Sequence, residues 1–222
     1  MAVVLNGTIG LPTSRQMVAA SGGYFSVTNP TLGTGVAYAL KTSSSATANG
    51  LFSISNAGLK TIQLDRIKLI QTATAATGNL VSRFEAFTET GIVALGTAAA
   101  AITPVNVNPA FPNTTGATVT MFSAGAGTVP AAVGTRRTVG WGSCNTGASI
   151  LWDSITVEFG ADGSSIGTAA LTGAKATAAN DSVCYMPPVT IAPNTSAWVN
   201  FYVITEAANI PSYEYCLNYI EL

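Results

Sequence analysis

The stretch Ser196-Ala197-Trp198-Val199-Asn200-Phe201-Tyr202-Val203-Ile204-Thr205 decides the fold. Ala197, Val199, Phe201 and Val203 fall on one parity, and Trp198, Asn200, Tyr202 and Ile204 on the other. A period of two belongs to an extended strand, whose successive side chains point to opposite faces of a sheet, whereas a helix repeats its apolar residues every third or fourth position. The first face is wholly apolar and reads as core. The second is only half polar, so the outer surface of this sheet is expected to meet protein as well as water, with Trp198 and Tyr202 as candidate interface residues.

The same signal recurs outward along the chain. Residues 150–159 place Leu151, Ile155, Val157 and Phe159 on one side and Trp152, Ser154, Thr156 and Glu158 on the other, with Asp153 interrupting the apolar row. Tyr213, Tyr215, Leu217 and Tyr219 share a face opposite Glu214, Cys216 and Asn218, the composition of a strand paired well inside a sheet. Short β-prone runs at 24–28, 36–40, 51–55 and 118–122 are bounded by Gly, Pro or Asn. Across 61–70 the parity switches, with Ile62 and Leu64 on one phase and Ile67 and Leu69 on the other, which predicts a bulge or a change of sheet near Asp65-Arg66. Residues 80–88 carry Phe84 and Phe87, and 180–191 carry Val183, Tyr185, Val189 and Ile191 around Pro187-Pro188, a pair that marks an edge or a bend.

About ten candidate strands and no long amphipathic helix predict an all-β chain, a single antiparallel jelly-roll sandwich with long ordered loops. One domain is expected over residues 1–222, with 1–20 a candidate extended N-terminal arm, since no fixed-period repeat or long linker divides the chain. The alanine-rich tracts 98–101 and 169–179 favour a helix by composition but lack an apolar stripe, and they read as loops. With 103–115, which holds Pro104, Pro109 and Pro112, they exceed the usual length of a connection. Order imposed by a neighbouring subunit is the expectation for them.

Composition narrows the chemistry. The 222 residues include nine basic and ten acidic side chains, a net charge of −1 and no histidine. Charged residues make up 9% of the chain, against roughly 25% in ordinary soluble domains. A folded monomer of this length exposes about 9,500 Å², so each charge has about 500 Å² to itself, roughly three times the usual share. Such a neutral surface loses little on desolvation and suits contact with other protein. The basic residues are scattered, which leaves no footprint for nucleic acid; the one basic doublet, Arg136-Arg137, reads as a solvated loop without a role. No membrane partner is expected either, because the most apolar stretch, 92–105, is interrupted by Gly96 and Pro104 and falls short of the roughly 20 residues a span requires. Residues 1–7 lack the basic and apolar regions of a secretory leader, so synthesis ending in a cytosol is expected.

Without histidine the Ser-His-Asp and Cys-His nucleophiles are excluded, together with the usual neutral-pH general base. Cys144, Cys184 and Cys216 are 40 and 32 residues apart with no CxxC pair, which argues against zinc and for three buried thiols. Glu85 with Glu89, or Asp153 with Glu158, are carboxylate pairs of the kind a glycosidase uses, but ten carboxylates produce such neighbours by chance. Gly160-Ala161-Asp162-Gly163-Ser164 reads as a hairpin turn rather than a calcium loop. Gly125-Ala126-Gly127 and Gly140-Trp141-Gly142 lack the strand-to-helix context of a phosphate loop and read as backbone punctuation. A non-enzymatic chain with no cofactor and no metal is expected. Trp141, Trp152 and Trp198 with the C-terminal tyrosines form a candidate sugar-stacking platform, although core and subunit contacts use the same residues.

Three segments carry a family likeness: Leu5-Asn6-Gly7-Thr8-Ile9-Gly10, Gly23-Tyr24-Phe25-Ser26-Val27-Thr28-Asn29, and Pro187-Pro188-Val189-Thr190-Ile191-Ala192-Pro193-Asn194-Thr195 leading into an apolar strand. In layout the chain resembles the small jelly-roll head accessory proteins, the cement or decoration proteins, of tailed bacteriophages. The resemblance implies a virion structural protein, assembled in the host cytoplasm and carried on the capsid surface. It also implies a homo-oligomer, usually a trimer, whose partner is the major capsid protein. No family residue transfers as a site, because such a function is spread over surfaces. Stable subunit contacts of about 1,200–2,000 Å² with charge-depleted cores fit the composition. Two alternatives remain open. One is a tail-fibre or spike head that binds a glycan through exposed aromatics. The other is a jelly-roll major capsid protein, against which residues 1–40 hold only Arg15 as a basic residue.

Overall fold

The computed structural model describes residues 3–5, 8–10, 14–29, 31, 33–37, 50–73, 80–93, 99–122, 132–147, 152–160, 168–169, 181–205 and 212–222. In chain order the elements begin with β1 (Val3–Leu5), β2 (Thr8–Gly10), α1 (Ser14–Ala20), β3 (Tyr24–Thr28), β4 (Val36–Ala37), β5 (Gly50–Asn56) and β6 (Ile62–Ala73). They continue with β7 (Leu80–Thr90), β8 (Ala99–Ile102), β9 (Val105–Asn106), β10 (Ala117–Phe122), β11 (Arg136–Gly147) and β12 (Ser154–Phe159). The last are β13 (Thr168–Ala169), β14 (Asp181–Met186), β15 (Thr190–Ile191), β16 (Thr195–Thr205) and β17 (Ser212–Glu221).

The chain is all-β in class, with two large sheets around one core. One sheet has six strands in the order β11-β7-β16-β5-β10-β8, all antiparallel. The other has nine, in the order β13-β14-β12-β6-β17-β3-β9, with β15 added on β6 and β4 on β17. The expectation of a wholly antiparallel fold is corrected at one place, where β12 and β14 run parallel. The long span from 160 to 180 between them gives the chain length enough to cross back, which a parallel return requires.

Ala197, Val199 and Phe201 of β16 are buried in the core, as their alternation predicts. Phe201 lies 4.7 Å from Phe84 of β7 with the rings tilted by 33°, and meets Tyr213 of β17 edge-on at 5.5 Å, joining the sheets through aromatic contact. Strand β17 is paired on both sides, to β6 and to β3 and β4. In β6 the parity switch is a bulge: opposite β17 the register passes from Asn218↔Arg66 to Tyr219↔Leu64, leaving Asp65 as the extra residue. The strand stays in one sheet, and Ile62, Leu64, Ile67 and Leu69 all reach the core.

Several expectations are corrected. Within the expected extended arm of residues 1–20, Ser14–Ala20 is helical and β1 pairs with β2. The helix ends in a Schellman motif, with Gly23 N–H on Val18 O, Gly22 N–H on Ala19 O, and Gly22 at φ 78°. Ala99–Ile102, read as loop, is strand β8 against β10. The 103–115 segment bonds to its own chain: Asn106 Nδ2 donates to Gly22 O at 2.8 Å, Asn108 Nδ2 to Ala19 O at 3.3 Å, and Val107 N–H to Tyr24 O at 3.1 Å. Arg136-Arg137 opens strand β11 instead of lying in a solvated loop. Cys184 is buried but Cys216 is half-exposed. The Cys144 side chain, residues 161–164, 125–127, 150–151 and 170–179, and the side chains of Val203 and Ile204 lie outside the described residues.

Candidate interaction face

The face of the six-stranded sheet turned away from the core carries the sequence-predicted interface. Register sets its side chains in rows. Arg136 faces Glu89, which faces Ser196; Trp198 faces Phe87; and Trp141 faces Glu85, which faces Asn200. Tyr202 follows opposite Arg83, but its side chain lies outside the described residues.

Trp198 is not at the surface of the chain. It is 0% exposed. The Phe87 ring lies 5.3 Å from it and the Arg136 guanidinium 4.1 Å above it. Its outward position was legible from the alternation; the cover was not, because Arg136 arrives from β11. That strand carries no apolar alternation, since Gly140 and Gly142 replace the apolar residues expected on its inner face. A side chain at Gly140 would strike Pro187, and one at Gly142 would strike Cys184, so the two glycines admit the second sheet.

Among the described residues the exposed aromatic of this face is Trp141, 55% exposed in mid-strand with the Arg83 guanidinium 5.0 Å from its ring. Trp152, also exposed, stands in a turn at φ 70° before β12. The three tryptophans therefore do not form one exposed platform.

The carboxylates of β7 are separately engaged. Glu89 accepts the backbone N–H groups of Val133 and Gly134 and the Arg136 Nε at 3.1 Å. Glu85 is paired with Arg83, Nε to Oε1 at 3.3 Å. Beside it, Asn200 is 1% exposed, and neither its amide oxygen nor its amide nitrogen has a hydrogen-bond partner among the described residues; the same holds for Trp198 Nε1. Buried polar atoms are rarely left so.

A second polar cluster pins α1 to the other sheet. The bulge turns Asp65 outward under the helix, where it accepts from Tyr24 Oη at 2.6 Å and Arg15 Nε at 2.8 Å. Arg15 also lies 3.8 Å from Glu158. Burial, and then the hydrogen bond to Asp65, push the Tyr24 phenol well above its ordinary range. Among the described residues no three metal-ligating side chains come together, and no helix is long and apolar enough to cross a membrane.

Compared with protein-family models, curated proteins and solved structures, the chain matches none.

Proposed function

We propose that this chain is a jelly-roll virion structural protein, a capsid cement that binds shell subunits and other copies of itself through protein interfaces. The observation that carries the reading is strand order. Eight long-range strands, β3, β5, β6, β7, β11, β12, β16 and β17, numbered first to eighth, stand as 1-8-3-6 in one sheet and 2-7-4-5 in the other, all antiparallel. Such an order is what the double Greek key of a jelly roll, a fold used by viral capsid domains, would give, and it supports the reading. Of the remaining strands, β13, β14, β9, β10 and β8 extend the sheet edges, β15 and β4 pair with β6 and β17, β1 and β2 form a separate pair, and β8, β9 and β10 belong to one insertion between the fourth and fifth.

Fold alone does not give function. Support for cementing comes from the scarcity of charge and from an exposed tryptophan on a sheet face, both features of surfaces that meet protein. Light scattering of the purified chain, followed by binding to undecorated shells, tests the reading. A trimer that adds to shells in many copies is the expected result; a solitary chain without affinity for shells overturns it. Copy number on the particle separates cement, at hundreds, from a fibre tip, at a few.

A further inference from the structure

We propose that the row Trp141, Glu85 and Asn200, with Arg83 beside it, is a binding site for a neutral carbohydrate. The proposal does not require the capsid reading, although both draw on Trp141. The three residues are consecutive across strands β11, β7 and β16, so about two strand spacings, roughly 10 Å, separate the outer two.

Each member contributes a different part of sugar recognition. Trp141 offers an exposed aromatic face, on which the apolar C–H side of a pyranose ring stacks. Asn200 offers a donor and an acceptor on one planar group, the pattern that adjacent hydroxyls satisfy because each can donate and accept. Both of its amide atoms lack partners among the described residues while 99% of the residue is buried. An amide held this way costs stability unless something bonds to it in the working state. Ser or Leu would fill the position at less cost.

Charge selects the ligand class. Arg83 and Glu85 are paired at 3.3 Å and cancel one another. An anionic or cationic ligand would have to break that pair, whereas a polyhydroxyl ligand bonds to its edges and leaves it intact. Trp141 is the exposed member of the group, and Arg83 beside it is half-buried, its side chain 35% exposed.

The test uses the full chain with glucose, galactose, mannose and N-acetylglucosamine at millimolar concentration, read by saturation-transfer NMR and tryptophan fluorescence, with adenosine as the competing class. Saturable binding of at least one sugar is expected, weakened about tenfold by Trp141→Ala, the factor that a lost stacking contact corresponds to. Asn200→Leu is expected to abolish binding while raising the melting temperature, a combination that a purely structural asparagine would not give. Should Asn200→Leu fail to fold, Trp141→Ala decides alone, since its side chain is exposed. No binding of any of the four sugars, binding unchanged in Trp141→Ala, or a preference for adenosine overturns the proposal.

Discussion

The Arg136 guanidinium lies 4.1 Å above the ring of Trp198 while its Nε donates to Glu89 Oε2 at 3.1 Å. One side chain thus covers a buried indole and neutralises a carboxylate whose own side chain is 0% exposed. It also fixes the start of β11 against β7, since Glu89 holds the backbone of Val133 and Gly134 just before that strand. Removing the cation strands the carboxylate. Arg136→Met is expected to cost about 3–5 kcal/mol, the usual penalty for orphaning one partner of a buried pair, measured as a lower urea midpoint with unchanged slope. A loss under about 1 kcal/mol would mean that the two backbone amides suffice to hold Glu89.

Trp198→Ala addresses the same contact from beneath. Deleting a fully buried aromatic is expected to cost about 3–5 kcal/mol in the isolated chain. Because the ring is covered within its own chain, the loss should appear in unfolding at any protein concentration; an effect confined to subunit association would contradict the burial.

Alkaline pH should unfold the protein through its tyrosines. Burial pushes the Tyr215 phenol up to about 12 from an ordinary value of 10.0. Burial also raises Tyr219, with the charge of Glu221 adding to it and the Thr115 hydrogen bond opposing. Tyr24 moves the same way through burial and Asp65. Each group is neutral in the folded chain at a pH where the unfolded chain already loses its proton. Their stabilisation is therefore complete below pH 10 and is lost as pH rises from there through about 12. Absorbance at the phenolate band, followed with circular dichroism, should show these tyrosines ionising late and together with unfolding. Simple titration near pH 10 in a folded chain would contradict it.

The helix clamp is separable from the sandwich. Tyr24→Phe removes a hydrogen bond to a carboxylate and is expected to cost about 1.5–3 kcal/mol. Asp65→Ala takes away the acceptor shared by Tyr24 and Arg15. Trypsin should then cut after Arg15 faster than in the parent chain, while the core strands resist. Equal cleavage rates would show that the Schellman turn and Asn108 hold α1 without Asp65.

Gly58 and Gly116 meet backbone to backbone. A Cβ on Gly58 would lie 2.7 Å from Gly116 Cα, and one on Gly116 2.6 Å from Gly58 Cα. The contact closes the β5–β6 turn on the start of β10, where Ala57 N–H donates to Gly116 O at 3.0 Å. Gly116→Ala should lower stability by about 1–3 kcal/mol, because neither backbone can yield without losing that bond. A neutral result in thermal unfolding would show that the turn relaxes freely.

Strands with a clean two-residue alternation were legible in the sequence, and β16 and β17 fell where their patterns put them. The bulge at Asp65 was legible as a parity switch, although its purpose, turning a carboxylate under a helix, was not. Strand β11 was illegible because its inner face is built from absent side chains at Gly140 and Gly142, and apolar patterning cannot register an absence. Helix α1 has no apolar stripe; it is held by Arg15, which no periodicity reports. For the interaction face, Trp198 was found but its cover was not, since Arg136 and Glu89 are 47 residues apart and meet only through pairing. Asn200 is the polar half of an alternation, and no sequence pattern reports that its amide lacks a partner among the described residues.

The two strands latest in chain order, β16 and β17, lie in the interior of their sheets, β16 between β7 and β5 and β17 between β6 and β3. During synthesis, therefore, the earlier strands emerge with no neighbour to bridge them, and both halves of each sheet wait with open edges. Such long-range closure is slow and exposes the nascent polypeptide to aggregation. Translation that stops before residue 195 leaves two cleft half-sheets rather than a smaller working domain.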